Sequence, residues 1–169
     1  MSGKDVEFKN YTLSDINAIE LLVSHRWKYD DYLAMREDSA QSFDVADIIP
    51  FHEEVIITYV DLDKYIANCG FNKVQLELIR LVELGITHED ITRILNIRKS
   101  TVEGRLKTIY RQIKKENDWQ WRRYFYTHKL KLKTKACSKC ENELPGTVEF
   151  YSDYARNKDG FHSACRKCR

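Results

Sequence analysis

Four cysteines carry the clearest chemistry in the chain. Cys137-Ser-Lys-Cys140 and Cys165-Arg-Lys-Cys168 are two C-x-x-C pairs with 24 residues between them. A two-residue spacer lets a tight turn aim both sulfurs at one point. Two such turns supply four thiolates, the tetrahedral set that Zn2+ takes in structural sites. The intervening stretch, ENELPGTVEFYSDYARNKDGFHSA, is too short to build a sizeable core of its own. A bound ion would supply the missing folding free energy. One structural Zn2+ held by Cys137, Cys140, Cys165 and Cys168 is therefore expected. Lys158-Asp159-Gly160 offers a tight turn, and Phe150, Tyr151 and Phe161 are available to cover the site. With four protein ligands no position is left for an activated water, so catalytic zinc is disfavoured. Two disulfides or a redox dithiol are the competing readings, and His162 is the one nearby residue able to replace a cysteine. The fifth thiol, Cys69, reads as a small buried apolar residue.

A second group of residues has the types that touch nucleic acid. Thr87-His-Glu-Asp90 has the form of a capping box, with Asp90 where Glu or Gln is usual. Ile91, Ile94 and Leu95 then bury one side of a short helix, and Asn96 stands at a turn that wants a residue tolerant of positive φ. Ile97 pins that turn to the core. A second helix begins near Lys99-Ser100 and turns Val102, Leu106, Ile109 and Ile113 inward. At about 100° per residue, Ser100, Gly104, Lys107 and Arg111 point the other way, flanked by Glu103 and Thr108. Polar side chains at the start of such a helix reach base edges, and basic ones meet phosphates and fix register. Gly104 costs roughly 1 kcal/mol of helix stability relative to Ala, but lets a DNA backbone come close. Glu103 is placed to accept from a cytosine amino group. The candidate DNA-contact set is Arg98, Lys99, Ser100, Thr101, Glu103, Gly104, Lys107, Thr108 and Arg111, with Arg105 adding charge nearby.

The run GITHEDITRILNIRKSTVEGRLKTIYRQI resembles the helix-turn-helix of LuxR/GerE-type regulators and of sigma-factor region 4. The matching positions are Gly85, Ile91-Thr92, Leu95, Ile97, Thr101-Val102, Arg105-Leu106 and Ile109. Thr92 stands where those families carry a small alanine, and Asn96 where a glycine is common. The resemblance covers about a quarter of the chain and implies major-groove binding; the sigma-like form also implies contact with RNA polymerase. The cysteine-bearing end resembles a short zinc module of phage and mobile-element proteins, on Cys137, Cys140, Pro145, Phe150-Tyr151, Lys158-Asp159-Gly160, Cys165 and Cys168. That resemblance implies a phage-like origin and company with DNA-binding or endonuclease domains.

The elements that must position these residues are mostly helical. Leu13–Lys28 carries Ile16, Ile19, Leu22, Val23 and Trp27 at helical spacing, with Ser14 as cap, and Asp30–Arg36 extends it or starts another helix. Ser39–Asp47 reads as an irregular link and Pro50 as a boundary. Glu53–Asn68 reads as helix, although Val55–Val60 alone would suit a strand, and Gly70 is placed for its C-cap. Lys73–Leu84 follows, with Val74, Leu76, Leu78, Ile79, Leu81 and Val82 as a wide apolar face and Gly85 as its stop. Trp119–Lys135 is aromatic, then basic, with its first half helical and its second half linker-like. Its rings can stack on single strands, but the more common reading is the buried side of a basic helix. The fold expected is mainly α: an acidic helical region over 1–70, a helix-turn-helix domain over 71–117, a basic aromatic helix and linker over 118–136, and a zinc module over 137–169.

Charge divides the chain the same way. The formal net charge is only +2, yet residues 1–70 hold 6 basic against 14 acidic side chains and residues 71–169 hold 22 against 12. The basic part suits phosphate, and the acidic part suits protein or the basic part itself. No apolar run approaches the length of a membrane span, and the first residues lack a signal-peptide core. A reducing cytoplasm, that of a bacterial host, is expected. There is no phosphate-binding glycine loop, no assembled Ser/His/Asp set and no ligand spacing among the five histidines. The reading is a non-enzymatic, sequence-specific regulator that binds double-stranded DNA through the helix Ser100–Lys115, encoded by a phage or prophage. Partnership through residues 1–70, by homodimerisation or with RNA polymerase, is expected because one helix-turn-helix gives little specificity alone. The alternatives are a sigma-like factor and a DNA-packaging recognition subunit of the small-terminase kind. A four-cysteine nuclease is disfavoured because no H-N-H histidine set accompanies the quartet.

Overall fold

The computed structural model describes residues 12–30 and 49–169, with the side chains of 49–53 outside that set. The expected helix over Asp30–Arg36 and the link over Ser39–Asp47 lie almost wholly outside the described residues. The chain forms two compact units, Met1–Asn117 and Asp118–Arg169.

The first unit is helical. α1 spans Ile16–Ser24, α2 Ile49–Asn68, α3 Lys73–Glu83 and α4 His88–Leu95. α5 starts at Lys99 and runs to Tyr124, past the division between the units. Asp15, not Ser14, caps α1: its carboxylate accepts from the Asn17 amide at 3.0 Å. Ser14 instead accepts from Asn117 Nδ2 at 3.0 Å. A turn at His25 interrupts the first helix, and 26–30 continue as a separate helical stretch. Pro50 sits within the first turn of α2 rather than outside it, where its missing N–H has no intrahelical acceptor to lose.

One core joins these helices. Ile19, Leu22 and Val23 of α1, Tyr59 and Leu62 of α2, Leu78 of α3, Ile91 of α4, and Val102, Leu106, Ile109 and Ile113 of α5 are all buried in it. The acidic N-terminal helices therefore share a core with the basic α5. Tyr59 donates to the buried Leu22 carbonyl at 3.1 Å and stacks on Tyr29 at 4.6 Å. Arg26 grips both carboxylate oxygens of Asp63, at 3.0 and 3.1 Å.

Two apolar faces are narrower than the sequence pattern suggests. On α3, Leu78, Ile79, Leu81 and Val82 are buried, whereas Val74 and Leu76 are exposed. Leu76 projects from the opposite side of the helix, and Val74 lies at its open first turn. On α4, Ile91 is fully buried while Ile94 is 56% exposed. Among the described residues no helix is long and apolar enough to cross a membrane.

The second unit begins with the end of α5, which passes at Phe125–Lys129 into a π-helical turn. Two hairpins follow. β1 (Thr134–Ala136) pairs antiparallel with β2 (Glu143–Pro145). β3 (Tyr151–Asp153) pairs antiparallel with β4 (Phe161–Cys165). The segment that looked like a linker thus supplies a strand, β1. Its aromatic neighbours are structural as well: Trp119 and Tyr126 pack on the cluster of Cys137, Leu144, Phe150, Tyr151 and Cys165.

Candidate metal centre and nucleic-acid interface

Each hairpin delivers one cysteine pair. Cys137 leaves β1 into a turn closed by Glu141 N–H on the Cys137 carbonyl at 2.9 Å and by Cys137 N–H on the Asn142 carbonyl at 3.0 Å. Glu141 takes a left-handed φ of 59° to complete that turn. Cys165 ends β4, and a second turn brings the Cys168 amide to the Cys165 carbonyl at 3.1 Å. Ser138 N–H donates to the Ser163 carbonyl at 3.0 Å and ties the first turn to β4.

The four sulfurs come together within 4.8 Å of one another. Thiolates held about 2.3 Å from a tetrahedral ion lie roughly 3.8 Å apart, so small side-chain shifts close this cluster onto one. The Cys140 and Cys165 sulfurs, 4.0 Å apart, are already near that separation. No disulfide joins any of the five cysteines. The four cysteines could therefore hold a metal ion.

The electrostatics of the quartet favour a cation. Burial pushes the Cys137 thiol up, but the amides of Cys140, Cys165 and Lys139 outweigh it and hold the thiol down at about 6. Cys137 Sγ accepts from the Cys165 N–H at 3.2 Å and the Lys139 N–H at 3.4 Å. Hydrogen bonds with the Cys165 and Cys140 sulfurs push Cys168 up to about 12. One thiolate forms readily, and the next then meets the charge of its neighbours. A dication relieves that conflict. His162 is not among the clustered ligand groups; its ring lies against Tyr154 with centroids 4.4 Å apart.

Phe150 and Tyr151 are fully buried beneath the cysteines, and the Tyr151 hydroxyl donates to the Lys135 carbonyl at 2.6 Å. Phe161 packs only partly buried. The β3–β4 turn is held by Gly160 at φ 74° and by Asp159. The latter accepts from the Phe161 amide at 3.2 Å and meets Lys135 Nζ at 2.6 Å. The hydrogen bond to Lys135 holds the Asp159 carboxyl below its ordinary range.

The other candidate face lies on α4 and α5. Thr87 caps α4 by accepting from the Asp90 amide at 3.2 Å. The Asp90 carboxylate accepts from the Thr87 hydroxyl at 2.8 Å, in place of the backbone N–H that a longer Glu or Gln would reach. The reciprocal box occurs one helix earlier, where Asn72 and Gln75 each accept from the other's amide at 3.0 Å. Asn96 adopts φ 50°, ψ 46°, the left-handed turn that Asn accommodates better than most residues. It redirects the chain into α5.

Arg98, Lys99, Ser100, Glu103, Gly104, Arg105, Lys107, Thr108 and Arg111 are exposed, and Thr101 is half-buried. Val102, Leu106, Ile109 and Ile113 lie on the buried side. Two of the predicted contact residues have internal partners. Lys99 Nζ is ion-paired with Glu89, and the Thr108 hydroxyl donates to the Gly104 carbonyl at 3.0 Å. A Cβ placed on Gly104 would meet nothing within 4 Å. Sequence reasoning missed the Glu89–Lys99 pair, since a loop brings together residues on two different helices.

The aromatic segment departs from its expected burial. Trp121, Tyr124 and Phe125 are 60%, 45% and 48% exposed. Of the rings in that segment, Trp119 and Tyr126 are the ones that pack inward, because they fall on the side of the helical turn that faces Phe150. No family model, no curated protein and no solved structure matches the chain.

Proposed function

We propose that the protein is a sequence-specific double-stranded-DNA-binding regulator that reads the major groove with the first half of α5. The observation that carries the reading is Gly104. A glycine inside a helix costs roughly 1 kcal/mol relative to Ala, and here no neighbouring atom requires it. Close approach by a partner outside the chain accounts for it. The exposed Lys107 and Arg111 lie one and two turns further on, suited to phosphates. Ser100 and Glu103, toward the start of the helix, are suited to base edges. Lys99 is better assigned to holding α4 against α5 through Glu89 than to the DNA.

The metal in this reading is one structural Zn2+ on Cys137, Cys140, Cys165 and Cys168. It would supply cohesion to the second unit and no chemical step. A second copy of the chain is the proposed partner, through α2, where Ile56, Ile57 and Val60 form an exposed apolar stripe. Two copies would give the two half-sites that specificity needs.

The test is binding of the zinc-loaded protein to a double-stranded DNA library across a salt series, beside Lys107→Ala/Arg111→Ala. The wild type should show a steep salt slope. The double variant should lose affinity and about two units of that slope, one for each phosphate contact. Equal binding by the two proteins would end the proposal.

A further inference from the structure

We infer that the second unit carries a separate binding surface for single-stranded nucleic acid, on the end of α5 and the π-helical turn. Trp121, Tyr124, Phe125 and His128 recur at helical i, i+3, i+4, i+7 spacing, and all four are exposed. The rings run on from one another: Trp121 to Tyr124 is 5.9 Å edge-on, and Tyr124 to His128 is 4.8 Å and tilted.

Charge selects the occupant. Arg122, Lys129, Lys131 and Lys133 are exposed along the same segment, and no acid occurs between Trp119 and Lys135. Flat rings beside a row of cations suit unpaired bases on a phosphate backbone, since every base offers a π-face whatever its sequence. A paired duplex hides those faces.

A cavity of about 270 Å³ opens beside the stripe, lined among others by Arg123, Tyr124, Thr127, His128 and Glu143. Its size falls below the roughly 300–1,000 Å³ of drug-sized pockets, which limits it to about one ring system. Its walls mix donors, an acceptor carboxylate and an aromatic face, as the edge and plane of a base require. The Thr127 hydroxyl is buried without a hydrogen-bond partner. The carboxylate of Glu143 disfavours a phosphate there, so the backbone belongs outside on the lysines and a base inside.

The experiment titrates the full-length, zinc-loaded protein with unstructured oligothymidylate and with oligouridylate, reading tryptophan fluorescence and anisotropy. Wild type, Trp121→Ala, Trp121→Phe and Lys107→Ala/Arg111→Ala are compared. Binding of either oligomer is expected, with quenching of Trp121. Trp121→Ala should weaken it roughly 5- to 150-fold, the range for loss of one stacked base. Trp121→Phe should retain most of the affinity, and the Lys107/Arg111 variant should bind the oligomers as the wild type does. The stronger of the two oligomers tells DNA from RNA. No binding of either, or equal binding by Trp121→Ala, overturns the inference, and neither result touches the duplex-binding reading of α5.

Discussion

Gly104 sets two properties of the protein against each other. Replacing it with Ala adds a methyl group to open space, in a helix that gains roughly 1 kcal/mol from the exchange. Gly104→Ala should therefore raise the unfolding free energy of the first unit by about that amount. The same methyl would stand between α5 and a duplex, so affinity for double-stranded DNA should fall. Chemical denaturation and duplex binding, measured on one preparation, check the two halves. A gain in stability with unchanged affinity would remove the main support for α5 as the reading helix. The cysteines present the simpler case at this scale. Their spacing alone pointed to one cluster, because two short turns aim sulfurs wherever the chain between them folds.

The turn from α4 into α5 and the inward face of α5 were the most legible elements. Thr87 as cap, Asn96 as left-handed turn and the inward set Val102, Leu106, Ile109 and Ile113 all follow from local chemistry and a fixed angular step. What local chemistry cannot encode is which side of an apolar helix another element covers. Ile94, Val74 and Leu76 look like core by type and are exposed. The aromatic tract failed for the same reason in finer detail, since two residues, just over half a helical turn, separate the packed Trp119 from the exposed Trp121. Strand β1 was missed because three residues, Thr134–Ala136, are too few to show an alternating pattern. The stop of α3 carries its own prediction. Gly85 holds φ 74°, and a Cβ there would lie 2.7 Å from Trp27 Nε1. Gly85→Ala combines backbone strain with a collision against an indole, and should destabilise the first unit by more than about 1 kcal/mol. Thermal unfolding checks it; an unchanged midpoint would mean that the turn rearranges freely.

For the whole molecule, the question is what keeps the second unit folded. Its two sheets have two strands each, and a lone two-stranded hairpin is marginal in water. Its cluster of fully buried residues is small: Cys137, Leu144, Phe150, Tyr151 and Cys165. A chelator should therefore unfold the second unit while the helical core of the first, which contains none of the quartet, stays intact. Near-ultraviolet dichroism of the Trp119–Phe150 environment, set against far-ultraviolet helix signal, would separate the two. Acid should act in the same direction. Metal ligation requires thiolates, so the stability it confers is present at neutral pH and is lost as protons compete for the sulfurs. Loss of both units together on chelation would contradict the division at Asn117.

The β3–β4 turn has a consequence for how this protein can vary. Its outer residues, Ala155, Arg156 and Lys158, are exposed, and it lies in the 24-residue stretch between the two cysteine pairs. The entropy of closing a flexible loop grows only with the logarithm of its length, about 0.6 kcal/mol for each doubling. A clasp that joins the ends of that stretch is nearly indifferent to how much chain lies between them. Extra residues inserted after Ala155 would leave the pairing of Cys137 and Cys140 with Cys165 and Cys168 intact. The tip of the hairpin is thus a place where length can drift, or a peptide be grafted, at little cost to the unit that carries it.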